Sequence, residues 1–304
     1  MQIPFVPTAG RIKLLDWLKH RFHRYLPAWC IACIRAFLRP FVLIEVWFNH
    51  RLQVRKFLPS PLSSQFLKMY RQARNRWDQG QRCATGDPVK LPIGHSNYSV
   101  WVRPGTCDVI LYSAILVHEQ YGRAPLKNPR TIIDCGANIG FATAYFLWKN
   151  PEAHVIALEP DPINYNLCKK NVQQFGKRIT LVNGAVWGSA GPMRVKGDNL
   201  GTWASTVVPA RDGTISSETI EGFDMPTLFD RYDIRTVDIL KMDIEGAEFE
   251  IFTAENLDWI SRVRCFQIEL EDDKCKQAFF RALANWPFRF LRHSEVTIAY
   301  REDL

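Results

Sequence analysis

From residue 131 onward, short apolar runs alternate with longer amphipathic stretches, and this alternation constrains the fold more than any other feature of the chain. The clearest example is TIIDC at 131–135, which precedes a helical pattern over about 139–149. Apolar runs of this length between helical patterns predict βαβ units, in which helices cover both faces of a mostly parallel sheet. We therefore expect an α/β fold.

The same alternation predicts further strands and helices downstream. Residues 187–225 interrupt it with Gly, Pro, Ser and Thr, which predicts an inserted hairpin or a loop over the sheet edge. Residues 288–302 predict a β-hairpin that closes one edge of the sheet. The other predicted strands lie at 154–159, 178–186, 236–244 and 263–271, and the predicted helices at 163–175, 225–232 and 246–260.

The amino-terminal part of the chain is basic and apolar, whereas residues 218–273 are acidic, and the whole chain has a net charge of +8. Helical patterns occur at about 11–25, 28–57 and 62–79. A basic amphipathic segment is typical of contact with a membrane surface, a nucleic acid or a partner, and also of a helical cap whose arginines lie in solvent. No nucleic-acid-binding signature accompanies the charge, so a nucleic-acid partner is not favoured.

We divide the chain at residue 80. Residues 1–80 are expected to form a basic, mainly helical segment that contacts a membrane surface in one interpretation. Residues 81–304 are expected to form the main domain, with its core sheet starting at about residue 130. The sequence leaves the oligomeric state open.

The composition favours a cytoplasmic protein, with peripheral membrane contact as the alternative. The most apolar stretch, at 26–48, is broken by charged residues and does not reach the ~20 apolar residues of a membrane span. It also lacks the features of a signal peptide. The eight cysteines are scattered and are expected to be reduced, and Cys30 and Cys33 lack the second ligand pair that a zinc site needs.

A glycine-spaced turn joins the first predicted strand to its helix and contains Gly136, Asn138 and Gly140. Such a turn lets the backbone approach a ligand closely and points N–H groups at it. Glu159 closes the second predicted strand, where an acidic side chain can accept hydrogen bonds from both ribose hydroxyls. Together these features predict a nucleoside bound at the carboxyl ends of the strands.

The spacing of the turn indicates which nucleoside it binds. The pattern D-x-G-x-N-x-G begins with Asp134 and differs from the G-x-G-x-x-G of dinucleotide sites, which disfavours a nicotinamide dehydrogenase. A carboxylate at that position suits S-adenosylmethionine, which carries an ammonium and a sulfonium group; alternatively, Asp134 only caps the following helix. Asp161 and Ala185 complete the candidate cofactor-binding set.

Three blocks of the sequence resemble the FkbM-type S-adenosylmethionine-dependent methyltransferases, a branch of the Rossmann-like class I fold. They are IIDCGANIG, ALEPDPINYNLCKKN and LKMDIEGAEFEIF, and the likeness extends from about residue 100 to residue 272. The resemblance implies a seven-stranded, mostly parallel sheet with one antiparallel strand at the carboxyl-terminal hairpin. It also implies methylation of a hydroxyl oxygen, with cofactor contacts from Asp134, Gly136, Asn138, Gly140 and Glu159.

Residues near the end of the fourth predicted strand are the catalytic candidates. A period of two places Lys241, Asp243 and Glu245 on one side of that strand. Asp243 is the candidate proton acceptor for a hydroxyl, and Lys241 serves as a base only if its pKa is strongly lowered. A second possibility, not favoured, is that Asp243, Glu245 and Glu269 hold Mg²⁺. Alternatively, Lys241 and Asp243 form an ion pair and Glu245 caps the next helix.

Other polar residues have weaker functional interpretations. Many relatives place a His shortly after the fifth strand, where this chain has Glu271. A substrate-covering loop is expected around Trp203. Further candidates to line the cofactor or a lid, each with a purely structural alternative, are Arg103, Thr106, Asp108, His95 and His118.

Two functions follow from these patterns. The first is an S-adenosylmethionine-dependent methyltransferase that modifies a hydroxyl on a small molecule, a glycan or a lipid-linked sugar. The second is a non-catalytic nucleoside-binding scaffold that docks at a membrane surface through its basic amino-terminal helices.

Overall fold

A computed structural model describes residues 47–79, 87–196, 206–210 and 219–302. Within these ranges the chain forms three sheets, of which the largest has seven strands. The strands are, in chain order, β1 Val89–Pro92, β2 Ser99–Val102, β3 Thr131–Cys135, β4 His154–Leu158, β5 Ile179–Val182, β6 Gly184–Val186, β7 Gly191–Lys196, β8 Thr206–Pro209, β9 Thr219–Phe223, β10 Ile239–Met242, β11 Cys265–Glu269, β12 Arg289–His293 and β13 Val296–Tyr300.

The helices lie mainly between the strands of the large sheet, as the alternating pattern predicts. A π-helical turn at Ser113–Val117 directly follows the third helix, and 3₁₀ turns occur at Gln173–Arg178 and Asp258–Arg262. The helices are α1 47–57, α2 Leu62–Asp78, α3 Asp108–Tyr112, α4 Phe141–Lys149, α5 Pro162–Val172, α6 Met225–Arg231, α7 Glu248–Phe252 and α8 Asp273–Leu283.

The seven-stranded sheet has the order β12-β13-β11-β10-β3-β4-β5. Strands β10, β11, β3, β4 and β5 are parallel, and β13 runs antiparallel to both β11 and β12. The expected seven-stranded sheet with one antiparallel strand at the carboxyl-terminal hairpin is therefore confirmed. The carboxyl ends of β3, β4 and β10 meet at one edge, which is where ligands bind in open α/β sheets.

Alternate residues of the sheet face two separate hydrophobic cores. Val155 and Ala157 of β4 belong to one core, whereas Ile156 and Leu158 belong to the other. Such continuous apolar runs are typical of strands that are covered on both faces. Helix α4 lies deep in the first core, and its residues from 141 to 147 are all buried.

The helices before residue 80 pack against the same first core. Val54 and Leu58 at the end of α1, and Phe66 of α2, are fully buried in it. Phe66 contacts the ring of Tyr112 in α3, with ring centroids 5.1 Å apart. Residues 47–78 thus help to support α3, although the division of the chain at residue 80 stays a prediction.

Two predicted elements differ from the structure near β5. The predicted strand at 178–186 is divided at Asn183, whose side chain donates hydrogen bonds to the carbonyl oxygens of Glu159 and Pro160. β5 therefore stays in the large sheet, whereas β6 pairs with β9 in a four-stranded sheet. The predicted insertion at 187–225 contains the other strands of that sheet.

Some predictions concern residues outside the described ranges. These are the helix at 11–25, most of the helix at 28–57, the Cys30 and Cys33 pair, and Trp203. Among the residues that the structure describes, no helix is long and apolar enough to cross a membrane. The five cysteines within those ranges are buried and free of disulfides.

Candidate functional site

A crevice opens at the carboxyl ends of β3, β4 and β10, and it also touches β6. Four of the predicted cofactor-binding residues line it, as do two of the predicted catalytic residues. These six residues are Gly136, Asn138, Glu159, Ala185, Asp243 and Glu245.

Position 136 requires glycine, because the turn that follows β3 packs against the residues at the end of β10. Its φ of 78° lies in the left-handed region, which favours glycine. A Cβ at this position would overlap the backbone carbonyl oxygen of Asp243 and would also contact Ile244. The glycine therefore allows the turn after β3 to lie in direct contact with the loop after β10.

The Glu159 carboxylate lies at the carboxyl end of β4 and joins the two turns that line the crevice. One of its oxygens accepts a hydrogen bond from the backbone N–H of Asn138 at 2.6 Å, and the other accepts from that of Asp161 at 2.9 Å. The side chain is 4% exposed. Burial raises the pKa of Glu159 to about 7, and the two backbone hydrogen bonds only partly oppose that shift.

Asp134 lies beneath the crevice and does not line it. Its carboxylate is fully buried, 3.1 Å from the Lys241 ammonium, and it accepts a hydrogen bond from the Thr143 hydroxyl at 2.6 Å. The parallel pairing of β3 with β10 places Asp134 and Lys241 at the same level. The contact of Asp134 with the cofactor stays a prediction, and in the structure the Asp134 carboxylate is paired with the Lys241 ammonium.

Lys241 is held as an ammonium group. Burial on its own lowers the pKa of Lys241, but the charges of Asp134 and Asp243 outweigh burial and raise it. The ammonium also donates a hydrogen bond to the carbonyl oxygen of Gly136 at 2.7 Å. The structure thus argues against Lys241 as a base, since that role required a strongly lowered pKa.

Asp243 and Glu245 lie in a loop and not on the strand, because β10 ends at Met242. Glu245 has a φ of 56°, so the strand alternation that placed the candidates on one side does not reach it. Asp243 is one-third exposed, and one of its oxygens is 3.9 Å from the Lys241 ammonium. The ion pair between Lys241 and Asp243, which was the structural alternative, is therefore present, although the Asp134 carboxylate is closer to Lys241 at 3.1 Å.

The loop is fixed by Glu248, a residue that the sequence analysis did not identify. Its buried carboxylate accepts hydrogen bonds from the backbone N–H groups of Ile244 at 3.0 Å and Gly246 at 2.9 Å. Burial raises the pKa of Glu248 to about 7. The Glu248 side chain therefore binds two backbone N–H groups of this loop.

Two further predicted cofactor residues have structural roles. A Cβ at Gly140 would press on Cys168 and Val172 of α5, so Gly140 permits close packing of α4 against α5. The Asp161 carboxylate caps α5 by accepting hydrogen bonds from the backbone N–H groups of Ile163 and Asn164. Neither residue lines the crevice.

A larger cavity of about 420 Å³ adjoins the crevice, and both spaces share Asp243 and Glu245. The floor of the cavity includes Glu269, which the sequence analysis considered only as a metal ligand. One Glu269 oxygen accepts hydrogen bonds from the Gln120 amide at 2.6 Å and the Tyr121 hydroxyl at 2.8 Å. Burial and the charge of Asp243 raise the pKa of Glu269.

Comparison with known proteins identifies the family. The family model described as the methyltransferase FkbM domain matches residues 134–292, which include both the crevice residues and the carboxyl-terminal hairpin. The chain belongs to the FkbM methyltransferase family. The resemblance carried by the three sequence blocks is thus confirmed.

The FkbM relatives are distant. Methyltransferase sdnD from Sordaria araneosa is 24% identical in an alignment of 171 positions that covers 46% of this chain and 66% of that protein, just under two thirds of its length. Methyltransferase 1 from Beauveria bassiana (strain ARSEF 2860) is 24% identical in an alignment of 207 positions that covers 59% of this chain and 80% of that protein. The solved structure of a methyltransferase FkbM from Methylobacillus flagellatus KT is 15% identical, with 64% of this chain and 54% of that chain covered at a TM-score of 0.43.

The polar residues ahead of β3 support the FkbM domain structurally. The Arg103 guanidinium forms a buried ion pair with Asp108, with N–O distances of 2.7 and 2.9 Å. Thr106 caps the start of α3 by accepting a hydrogen bond from the Asp108 backbone N–H. These contacts agree with the purely structural alternative for Arg103, Thr106 and Asp108, in which they form a turn and the start of a helix.

The two candidate histidines are also structural. His118 contacts His50 through ring nitrogens 2.9 Å apart, and burial lowers the pKa of each to about 4. The ring of His95 lies 2.9 Å from the Lys56 carbonyl oxygen. Within the described ranges of this FkbM chain, no group of three His, Cys, Asp or Glu side chains is arranged to hold a metal ion.

Proposed function

We propose that this FkbM-family chain binds S-adenosylmethionine in the crevice and transfers its methyl group to a hydroxyl of an acceptor in the adjoining cavity. The observation that supports this most directly is the position of Glu159, a buried carboxylate at the end of β4 that faces the crevice. A carboxylate there is suited to bind the two hydroxyls of a ribose.

The hydrogen bonds of Glu159 are compatible with that role. Each oxygen accepts one backbone N–H, from Asn138 or from Asp161. An ionised carboxylate has about four lone-pair sites, so each oxygen retains the capacity to accept one more hydrogen bond. The two backbone groups also fix the orientation of the carboxylate before a nucleoside binds.

The crevice must widen to accept a whole nucleoside. Its free volume is about 60 Å³, whereas small-molecule sites typically have roughly 300–1,000 Å³. The walls that face each other across it come from the turn at Asn138 and from β6 at Ala185. We expect these walls to move apart when the cofactor enters.

The crevice and the cavity meet at Asp243, which suits a transfer between them. When bound, S-adenosylmethionine supplies a methyl group on a cationic sulfur that an acceptor oxygen can displace. Asp243 lines both spaces and is one-third exposed, so its carboxylate is placed to receive the proton that the hydroxyl loses. The Lys241 ammonium donates to the carbonyl oxygen of Gly136 and the Glu248 carboxylate accepts from the Ile244 N–H, so these two side chains fix the turn and the loop on either side of Asp243. A proton-accepting carboxylate at this junction favours oxygen as the methylated atom.

Calorimetry on the full-length protein tests the proposal. We expect S-adenosylmethionine and S-adenosylhomocysteine to bind and NAD not to bind. Glu159→Ala should weaken the binding of both sulfur nucleosides, whereas Glu302→Ala, an exposed residue that does not line the crevice, should leave it unchanged. Binding of NAD alone would overturn the assignment.

A second proposal, independent of catalysis, concerns membrane contact through α1. Trp47, Phe48 and Leu52 are exposed apolar residues on this helix. Arg51 and Arg55 lie on the same helix, and the Arg51 guanidinium is 4.4 Å from the centre of the Trp47 ring. Exposed apolar side chains next to cations are typical of helices that lie on an anionic membrane surface. This supports the peripheral association expected for residues 1–80.

A further inference from the structure

The 420 Å³ cavity has two chemically different walls. One wall is apolar and comes from α3, from the π-helical turn that follows it, and from the carboxyl end of α2. A π-helical turn is uncommon and is often found at functional sites. The residues of this wall are Trp77, Ile110, Leu111, Ala114 and Ile115.

The opposite wall is acidic. It is formed mainly by the segments that follow β10 and β11 and by the turn of the carboxyl-terminal hairpin. Its carboxylates are Asp243, Glu245, Glu269, Glu271 and Glu295.

The two cations that border the cavity do not balance this charge. Lys276 is paired with the exposed carboxylate of Asp273 at 3.0 Å. The Arg292 guanidinium donates a hydrogen bond to the carbonyl oxygen of Ser294 at 3.2 Å. Five carboxyl groups outnumber the two cations of the lining, while burial raises the pKa of Glu269 and the Lys241 ammonium lies 3.9 Å from Asp243.

The carboxylates of the acidic wall also repel one another. The pKa of Glu271 is raised by burial and then by the charge of Asp243. The pKa of Glu295 is raised by burial and then by the charges of Glu271 and Asp243. An additional negative charge in this cavity would be opposed by the same repulsion, whereas a positive charge would relieve it.

We infer that the cavity takes an amphipathic acceptor with an apolar body and a neutral or cationic polar end, and that it rejects acceptors carrying a carboxylate or phosphate. The apolar body packs on the wall formed by α3 and its π-helical turn, and the polar end faces the carboxylates near Asp243. This inference rests on the proposed function, because it identifies the cavity as the acceptor site. Rejection by like charge is a common source of specificity.

Three probes built on chains of eight carbon atoms, the carboxylate carbon included, test the charge preference: octyl glucoside, octylamine and octanoate. Their affinities for the full-length protein saturated with S-adenosylhomocysteine are measured by calorimetry below their micelle-forming concentrations. We expect the neutral and cationic probes to bind, and octanoate to bind at least about tenfold more weakly than octylamine, a difference of about 1.4 kcal/mol. Equal affinity of octanoate and octylamine, or no binding of any probe, would overturn the inference.

Variants locate the binding and test its cause. Ala114→Trp fills the apolar wall and should weaken binding of the neutral and cationic probes. The double variant Glu271→Gln and Glu295→Gln should narrow the gap between octanoate and octylamine, whereas Glu302→Gln, an acid outside the cavity, should not. The inference would also be contradicted if Ala114→Trp left probe binding unchanged. It would equally be contradicted if the double variant left the difference in affinity between octanoate and octylamine unchanged.

The experiment separates this inference from the proposed function. Binding of S-adenosylhomocysteine is measured first, and its absence would refute the cofactor assignment. If it binds and the probes show no preference for charge, the cofactor site stands and the acceptor class is wrong.

Discussion

The Lys241 ammonium lies 3.1 Å from a carboxylate oxygen of Asp134, and both side chains are buried beneath the candidate cofactor crevice. Lys241 also donates to the carbonyl oxygen of Gly136 in the first turn. The pair thus connects β10 to β3 at the point where both strands end. It thereby fixes the turn after β3 beside the end of β10.

We predict that Lys241→Met lowers the free energy of unfolding by about 3–5 kcal/mol, because it leaves the Asp134 carboxylate buried without its cation. Urea unfolding measures the change. The control is Arg289→Met, which removes an exposed pair with Glu302 and should cost less than about 1 kcal/mol. A loss for Lys241→Met no larger than that of the control would contradict the structural role of the pair.

Cofactor affinity should depend on pH through Glu159. Burial raises the pKa of this carboxyl to about 7, so a large fraction is protonated below that pH and has fewer sites to accept ribose hydroxyls. Bound hydroxyls stabilise the ionised form, so affinity for S-adenosylhomocysteine should rise with pH up to about 7 and then level off, changing by at most about tenfold per pH unit. Calorimetry in a series of buffers measures this. Glu159→Gln should bind more weakly and lose this pH dependence; a variant with the same profile as the wild type would exclude Glu159 as its source.

Gly136→Ala should lower thermal stability and cofactor affinity more than alanine does at a glycine that has a positive φ and free space around it. Backbone strain alone costs about 1–3 kcal/mol, and here the new Cβ would also overlap the Asp243 carbonyl oxygen. Gly176→Ala is the matched control, because Gly176 also has a positive φ but has free space around it. Both variants are compared by thermal unfolding and by cofactor affinity. Equal effects on both would show that the contact with Asp243 is unimportant.

Asp243→Asn should slow methyl transfer more than it weakens binding. The amide cannot accept the hydroxyl proton, and loss of general base catalysis typically costs about 10²–10⁴-fold in rate. Methyl transfer to an accepted hydroxylated substrate is measured in single turnovers, alongside affinity for S-adenosylhomocysteine. An unchanged rate would exclude Asp243 as the base.

Membrane contact should depend on the exposed apolar residues of α1. Flotation of the full-length protein with vesicles containing phosphatidylserine should be reduced when Trp47, Phe48 and Leu52 are all replaced by Ser. Phe290→Ser is the control, since Phe290 is also exposed but lies on β12. Protein that stays at the bottom of the gradient in its wild-type form would contradict the proposal.

Local patterns predicted most of the sheet. The strand at 131–135, the short helix within 225–232 and the hairpin within 288–302 were all correctly placed, because each has a clear apolar period and a clear boundary. Helix α8 was not predicted, although Asp272 at its N-cap and the buried Cys275 and Phe279 give a recognisable helical signal. The predicted helix at 246–260 is much shorter in the structure, where α7 ends at Phe252.

The roles of the polar residues were harder to predict than the strands. The pattern D-x-G-x-N-x-G identified Asp134 as a candidate but gave no sign that its partner is Lys241. The two residues meet only when β3 pairs with β10. Glu248 was missed for a related reason, since its function is to bind backbone groups of a loop whose shape is set by tertiary contacts. Glu159, by contrast, lines the crevice as its position at the end of the second predicted strand implied, and Ala185 of the candidate set also lines it.

The close contact between Gly136 and the Asp243 backbone has a consequence for the order of events during turnover. An incoming nucleoside that displaces the turn after β3 would push on the backbone of Asp243, which lines the adjoining cavity. We therefore expect that cofactor binding in the crevice changes the shape of the adjoining cavity, and that the cofactor binds before the acceptor.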